Sequence, residues 1–176
     1  LVNNNELLLA VILENEYRDF VYDNYLDYPA DEDFEEIRLK YGSVLRGDTS
    51  TVTSKLQTLD NIRNKIHSNT SYTLTPGKTP QNRDFVNYFL FEGQEGYCVH
   101  YATAGVMLAR MAGIPARYAT GYIALDDDFD DYKYYVGGAY EVVLKDNNSH
   151  AWAEVYLDGY GWVPYEFTAG YSGSSN

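Results

Sequence analysis

The sequence contains only one cysteine, Cys98, among 176 residues. A single thiol cannot form an internal disulfide, and structural zinc sites normally use several cysteines. Cys98 is therefore either a small buried apolar side chain or a nucleophile. Gly93 and Gly96 precede it and an alanine-rich stretch follows, which places it in the first turn of a helix. Unpaired backbone N–H groups at that position favour an anion such as a thiolate.

Basic side chains and long apolar runs are also scarce. The chain has 13 Lys and Arg against 26 Asp and Glu, and its net charge is −13. This charge repels phosphate, so we expect no nucleic-acid partner. No apolar run approaches the roughly 20 residues that span a bilayer, so we expect no direct membrane insertion in this segment. Because Leu1 follows neither an initiator Met nor a leader, we expect an excised domain of a larger protein.

Tyrosine, by contrast, is abundant, with 19 residues in a chain whose hydrophobic content is 45%. The hydrophobic content predicts a folded domain with a sizeable core. Tyrosine combines apolar area with a hydroxyl, which suits a wet binding surface. A chain rich in Tyr, Asn and Asp and poor in Cys indicates an extracellular or cell-surface bacterial protein. Its oligomeric state stays open.

Helical periodicity dominates the first part of the chain and strand alternation dominates the last. The predicted helices are 6–25, 31–41 (ended by Gly42), 51–67, 80–91 (started by Thr79-Pro80) and 98–111. An extended segment is predicted at 71–75, and strands at 116–124, 134–144, 150–157 and 161–167. Helices followed by an antiparallel sheet define an α+β fold. We expect a helical N-terminal extension, 1–70, packed on a core, 71–176, within one compact domain.

A thiol nucleophile needs a base, and the base needs an acceptor that orients it. Of three histidines, His67 ends a polar helix and is expected to be solvated, while His100 lies two residues after Cys98, so their side chains point apart. His150 opens a strand far from Cys98 in sequence. The Asp158-Gly159 turn then brings Glu166 beside the start of that strand. The residues therefore nominate Cys98, His150 and Glu166; an ordinary exposed carboxylate is the alternative for Glu166.

Two longer motifs carry a family resemblance. The runs GYCVHYATAGVMLARMAGIPARYATGY and SHAWAEVYLDGYGWVPYEFT resemble the transglutaminase-like superfamily, most closely its bacterial, often cell-surface members. The resemblance extends from about Ser71 to Thr168 and includes SYTLTP and DFVNYFLFEGQ. It implies a papain-like fold with Cys98 as nucleophile, His150 as base and Glu166 as acceptor. The family more often has Asp at the last position.

Oxyanion stabilisation would come from the Cys98 backbone N–H and one side-chain donor, for which Gln94 and Tyr97 are the candidates. Animal transglutaminases use a Trp upstream of the nucleophile, and no Trp precedes Trp152 here. Trp152 and Tyr101 are candidates for lining the substrate cleft.

We expect no metal and no cofactor. The run 126–131 is acidic and could hold Ca²⁺, but it lacks the spaced Gly and terminal Glu of an EF-hand loop. A solvated loop is therefore the favoured interpretation. A zinc site at Cys98, His150 and Glu166 is disfavoured because no second thiolate is near.

The predicted function is cysteine-dependent acyl transfer on amide bonds of a protein or peptide, through a thioester. The acidic surface, poor in lysine, and the missing upstream Trp favour hydrolysis, as in a peptidase or amidase, over cross-linking. The alternative is a non-catalytic module that binds protein or cell wall through Tyr-rich contacts.

Overall fold

The computed structural model describes residues 4–129, 133–135 and 138–170. Over these residues the α-helices are α1 (Asn4–Asn24), α2 (Glu32–Leu45), α3 (Val52–Asn69), α4 (Phe85–Tyr88) and α5 (Cys98–Met111). A π-helical turn, Phe89–Gly93, extends α4, and short 3₁₀ turns cover Asp126–Phe129 and Asp146–Asn148. The strands are β1 (Ser71–Tyr72), β2 (Glu95–Gly96), β3 (Ala116–Tyr122), β4 (Lys133–Tyr135), β5 (Ala139–Glu141), β6 (Ser149–Leu157) and β7 (Gly161–Tyr165).

Helices precede a three-stranded antiparallel sheet of order β3-β6-β7, which confirms the α+β prediction. The predicted strand 134–144 is instead the two short strands β4 and β5, which pair with each other and not with the central sheet. The parallel pair β1–β2 joins the segment after α3 to the segment that leads into α5.

Two predicted helix boundaries are wrong. Gly42 does not end α2; it is buried and the helix continues to Leu45, because packing against the core outweighs the low helix propensity of glycine. The helix expected from Pro80 begins instead at Phe85. There the Asp84 side chain accepts hydrogen bonds from Val86 N and Asn87 N, both 2.8 Å, which makes Asp84 the N-cap.

The hydrophobic core lies between α5 and the inner face of the sheet. Ala151, Ala153 and Val155 on β6 are buried and face α5. Helices α2 and α3 add Ile37 and Leu59 to the same core cluster. Residues before and after position 70 therefore share one core, while the division into an extension and a catalytic core stays a prediction.

Helix α1 contacts the outer face of the sheet. Its Tyr17 hydroxyl accepts a hydrogen bond from Trp162 Nε1 at 2.9 Å, and its Tyr22 hydroxyl accepts one from Lys55 Nζ at 2.6 Å. Lys55 is buried on α3 and also forms an ion pair with Asp158, in the turn between β6 and β7. The contacts of Lys55 with Tyr22 and Asp158 therefore link α1, α3 and the hairpin. None of the helices in the described residues has the length and apolar character to cross a membrane.

Candidate active site

Cys98 is the first residue of α5, as predicted, and is partly exposed. Its backbone N–H belongs to the first turn, whose amides have no acceptor within the helix. The chain that leads into this turn packs closely against α5. A Cβ on Gly96 would lie 2.6 Å from His100 Cβ, so a glycine is needed there. His100 is buried, and its Nδ1 accepts a 3.4 Å hydrogen bond from Tyr97 N. Burial lowers the pKa of His100 despite this contact, which suits a neutral packing residue.

His150 and Glu166 form a hydrogen-bonded pair. The His150 Nε2–H donates to Glu166 Oε2 at 2.6 Å, and Glu166 Oε1 accepts from Thr168 N at 2.7 Å. Burial raises the pKa of Glu166, but the hydrogen bonds from His150 and Thr168 outweigh it, so the pKa lies below the ordinary value. An ionised carboxylate only accepts hydrogen bonds, which assigns the proton on Nε2 to the histidine. Nδ1 is then the ring nitrogen available for proton exchange with a thiol.

The β6–β7 hairpin explains this pairing. Ala153 pairs with Tyr165, the last residue of β7, so Glu166 continues the register opposite Trp152. His150 is two residues further along β6, in the diagonal position on the same face. The turn thus brings acid and histidine together, as predicted, through a diagonal and not a directly opposed pair.

His67 has a different environment from the one predicted. Instead of being solvated at the end of α3, its Nε2 lies 2.7 Å from the backbone carbonyl of Phe167, to which it can donate. Its ring meets Tyr101 edge to face, with centroids 6.0 Å apart. His67 therefore fixes the chain directly after Glu166. Sequence periodicity could not reveal this contact because its two residues are 100 positions apart.

One cavity of about 1040 Å³ brings Cys98 and His150 together. Its remaining walls come from the segment after β1, the end of β3, the 3₁₀ turn before β6 and the residues after Phe167. Glu166 does not line the cavity itself but is hydrogen-bonded to His150, which does. The three residues nominated from the sequence thus belong to one site.

The two oxyanion candidates differ in position. Tyr97 lines the cavity. Gln94 is exposed, does not line it, and has a left-handed backbone with φ of 52°. The expectation for Gln94 is corrected, since this conformation turns the chain between the π-helical turn and β2 and leaves the side chain outside the cavity.

The two cleft candidates, Trp152 and Tyr101, do not line the cavity either. The ring of Trp152 is nearly parallel to that of His150, with ring centroids 6.4 Å apart, so it restricts the orientation of the imidazole. Tyr101 is fully buried in the core, and its hydroxyl accepts a 3.1 Å hydrogen bond from Thr70 Oγ1. Its place on the buried face of α5 explains the correction.

Tyr72 is a cavity residue that the sequence reasoning missed. Its backbone pairs with Gly96, and Thr73 N donates to Gly96 O at 2.8 Å, so β1 is fixed beside the segment that leads to Cys98. Burial and the negative charge of the nearby Cys98 raise the pKa of Tyr72. The SYTLTP motif contained the signal, since a tyrosine there had no helical or core role to explain it.

The described residues contain no group of three or more His, Cys, Asp or Glu side chains that could hold a metal. Within the acidic run, Asp128 Oδ2 already accepts 2.7 Å hydrogen bonds from Leu125 N and Asn148 Nδ2. Asp130 and Asp131 lie outside the described residues. The expectation that this run is a solvated loop without Ca²⁺ stays a prediction.

The fold and the site define a family. The sequence profile of the transglutaminase-like superfamily matches residues 43–167, and the chain belongs to that superfamily. The matched region begins within α2, earlier than the start near Ser71 expected from the motifs.

Two curated bacterial proteins are similar to parts of the chain. An uncharacterised protein of Bacillus subtilis, YebA, is 43% identical over 94 residues, which cover 53% of this chain and 12% of that protein. A protein-glutamine gamma-glutamyltransferase of Pseudomonas aeruginosa is 34% identical over 102 residues, which cover 58% of this chain and 14% of the enzyme. The chain therefore spans only a small part of these relatives.

The periplasmic domain of TgpA from Pseudomonas aeruginosa has a similar structure. It superposes with a TM-score of 0.64 at 25% identity and covers 85% of this chain and 47% of that domain. A second structure of the same domain, bound to ethylmercury, gives a TM-score of 0.63 at 24% identity. The transglutaminase-like fold expected from the motifs is thus confirmed.

Proposed function

We propose that the chain catalyses cysteine-dependent acyl transfer from amides of a protein or peptide, with Cys98 as nucleophile and His150 and Glu166 as its base and orienting acid. The observation that carries the proposal is the 2.6 Å His150–Glu166 hydrogen bond beside a cavity that His150 shares with Cys98. A purely structural histidine would not need an ionised partner at the wall of an open cavity that also holds the single thiol.

The reaction has two halves. His150 Nδ1 holds the Cys98 proton while the thiolate attacks the amide carbonyl and forms a C–S bond. The tetrahedral intermediate collapses, the C–N bond breaks, and His150 gives its proton to the leaving amine or ammonia. Water or an amine then attacks the thioester, His150 accepts its proton, and the C–S bond breaks to regenerate Cys98. Glu166 keeps the imidazole in the required orientation and stabilises the imidazolium.

The negative charge on the tetrahedral oxygen needs donors that exist before the reaction. We propose the Cys98 backbone N–H and the Tyr72 hydroxyl. Tyr72 lines the cavity, and its strand β1 is paired beside the segment that leads into Cys98. Tyr97 also lines the cavity and is the second candidate for the side-chain donor.

Hydrolysis is the outcome that the composition favours. Amine transfer is the second candidate, since the relative from Pseudomonas aeruginosa is named a protein-glutamine gamma-glutamyltransferase. The similarity to a periplasmic domain supports a location outside the cytoplasm, as part of a larger bacterial protein.

A glutamine-containing peptide library, incubated with and without glycine ethyl ester, tests the reaction. Mass spectrometry distinguishes the hydrolysed product from the amide product, and ammonia release gives the rate. We expect wild-type turnover, and none for Cys98→Ala, whose circular dichroism should match that of the wild type. Iodoacetamide should label native Cys98 faster than a free thiol peptide at pH 7. Absence of turnover together with slow labelling would favour a non-catalytic binding module.

A further inference from the structure

Several exposed apolar side chains lie on the walls of the cavity that holds Cys98. Leu74 is 75% exposed, Tyr122 58% and Leu125 42%, and all three line this cavity. We call these three residues the apolar wall. Large apolar groups left in water beside a concave site are typical of a binding surface, because a ligand can remove them from solvent.

The described lining of the cavity contains a negatively charged side chain and no positively charged lysine or arginine. Among the described lining residues, Asp146 is the only acidic one, and the lining there contains neither lysine nor arginine. The whole chain adds a net charge of −13. A carboxylate on a ligand would therefore meet repulsion and find no described cationic partner in the lining.

The cavity is large enough to hold a short segment of a peptide. Its volume of about 1040 Å³ reaches the upper end of ordinary small-ligand pockets, which run from roughly 300 to 1,000 Å³. The cavity is lined both by the segment after β1 and by the loop after β3, so an occupant can contact both Leu74 and Leu125.

We propose that the apolar wall is a substrate subsite for the acyl-donor peptide. It binds an apolar side chain beside the reacting amide, and Asp146 disfavours donors with a carboxylate there. The substrate class is a neutral or basic peptide in which an apolar residue flanks the reacting amide. The inference rests on the proposed function for the reaction, but the binding it describes exists without turnover.

Three glutamine peptides, identical except for Leu, Ser or Glu flanking the glutamine, test the subsite. We expect kcat/KM of the wild type to fall in that order, with about a tenfold preference for Leu over Ser. Leu74→Ala and Leu125→Ala should reduce this preference severalfold. Leu39→Ala is a matched control, because Leu39 is also 75% exposed but does not line the cavity, and it should leave the preference unchanged. Asp146→Asn should improve the Glu peptide selectively.

Fluorescence anisotropy of the same labelled peptides on Cys98→Ala protein separates this inference from the proposed function. Tighter binding of the Leu peptide, reduced by Leu74→Ala, would support the subsite even if the wild type turned over no peptide. Turnover without any preference among the three peptides would overturn the subsite and leave the proposed function intact. Equal binding of all three by Cys98→Ala protein would also overturn the subsite.

Discussion

Glu166 combines partial burial with two short hydrogen bonds, one from the His150 ring and one from the Thr168 backbone. Burial alone would favour the neutral acid, so the two donors decide its charge. The geometry supports a role for the charge itself, since an amide in its place could still accept from Thr168 but would not stabilise an imidazolium.

Glu166→Gln is therefore expected to lower kcat by about 10²–10⁴-fold while the protein stays folded. Steady-state rates with a glutamine peptide that the wild type turns over measure this loss. Glu154→Gln is a matched control: Glu154 also accepts a 2.6 Å hydrogen bond, from Arg117 Nε, but it does not line the cavity, and its loss should leave kcat unchanged. Equal losses in both variants would contradict the role of Glu166.

The lowered pKa of Glu166 also predicts how stability depends on pH. Since the folded-state pKa lies below the unfolded one, ionised Glu166 stabilises the fold at pH values above the ordinary glutamate pKa, about 4.3. That stabilisation is lost as the pH falls through the folded-state pKa. Urea unfolding from pH 7 to pH 3 should show wild-type stability falling more than that of Glu166→Gln at the acid end. Parallel curves would exclude this linkage.

Tyr72→Phe tests the proposed oxyanion donor. Removal of one such donor is expected to lower kcat by about 10²–10³-fold with little change in KM. Alkylation by iodoacetamide forms no oxyanion, so its rate at Cys98 should stay close to that of the wild type. Tyr160→Phe is the control, because Tyr160 is 75% exposed and lies outside the cavity lining. A slower alkylation rate in Tyr72→Phe would point to a disturbed thiol instead.

At the scale of elements, the site depends on close packing between α5 and the chain after β7. Gly105 lies on the buried face of α5, and a Cβ there would be 2.2 Å from the Phe167 ring, next to Glu166. The Phe167 carbonyl is in turn bound by His67 of α3. Helices α5 and α3 thus fix the residue that follows the acid.

Gly105→Ala is expected to lower the free energy of unfolding by about 1–3 kcal/mol, because the added methyl overpacks the core and displaces the ring. The higher helix propensity of alanine offsets only part of this cost. Gly77→Ala, where a Cβ meets nothing within 4 Å, should unfold like the wild type. Urea titrations measure both, and an unchanged Gly105→Ala would show that Phe167 has room to move.

Elements with a strong local signal could be predicted from the sequence, and those that depend on distant partners could not. The glycines before Cys98 and the Asp158-Gly159 turn encode α5 and the β6–β7 hairpin locally, so Cys98, His150 and Glu166 could be nominated. Gln94 and Tyr101 were misassigned because sequence distance from Cys98 does not tell which side of α5 or β2 a residue lies on. Tyr72 was missed because it reaches the site through the parallel pairing of β1 with β2, and a two-residue strand has no periodicity.

For the whole molecule, the dominant feature is its net charge of −13. Many of the described ion pairs are exposed, as in the pairs of Arg38 with Glu35 and of Lys40 with Glu36, and such pairs contribute little. The excess of carboxylates repels itself more in the compact state than in the unfolded chain.

Stability should therefore rise when NaCl increases from 10 to 150 mM, because the Debye length shortens from about 30 to about 8 Å. Thermal unfolding at pH 7 measures this directly. Sucrose at matched osmolality controls for effects unrelated to charge, and the salt effect should exceed it. A melting temperature that falls with salt would mean that local ion pairs, such as Lys55 with Asp158, outweigh the net repulsion.

The ladder of the central sheet ends at Tyr165, one residue before Glu166. The acid therefore lies in a segment outside the regular strand pairing. This segment is held by the hydrogen bond from Thr168 N to Glu166 and by the contact of His67 with the Phe167 carbonyl. The position of the Glu166 carboxylate thus depends on contacts with α3 and α5, and it can be disturbed by changes at His67 or Gly105 that leave the register of β6 and β7 intact.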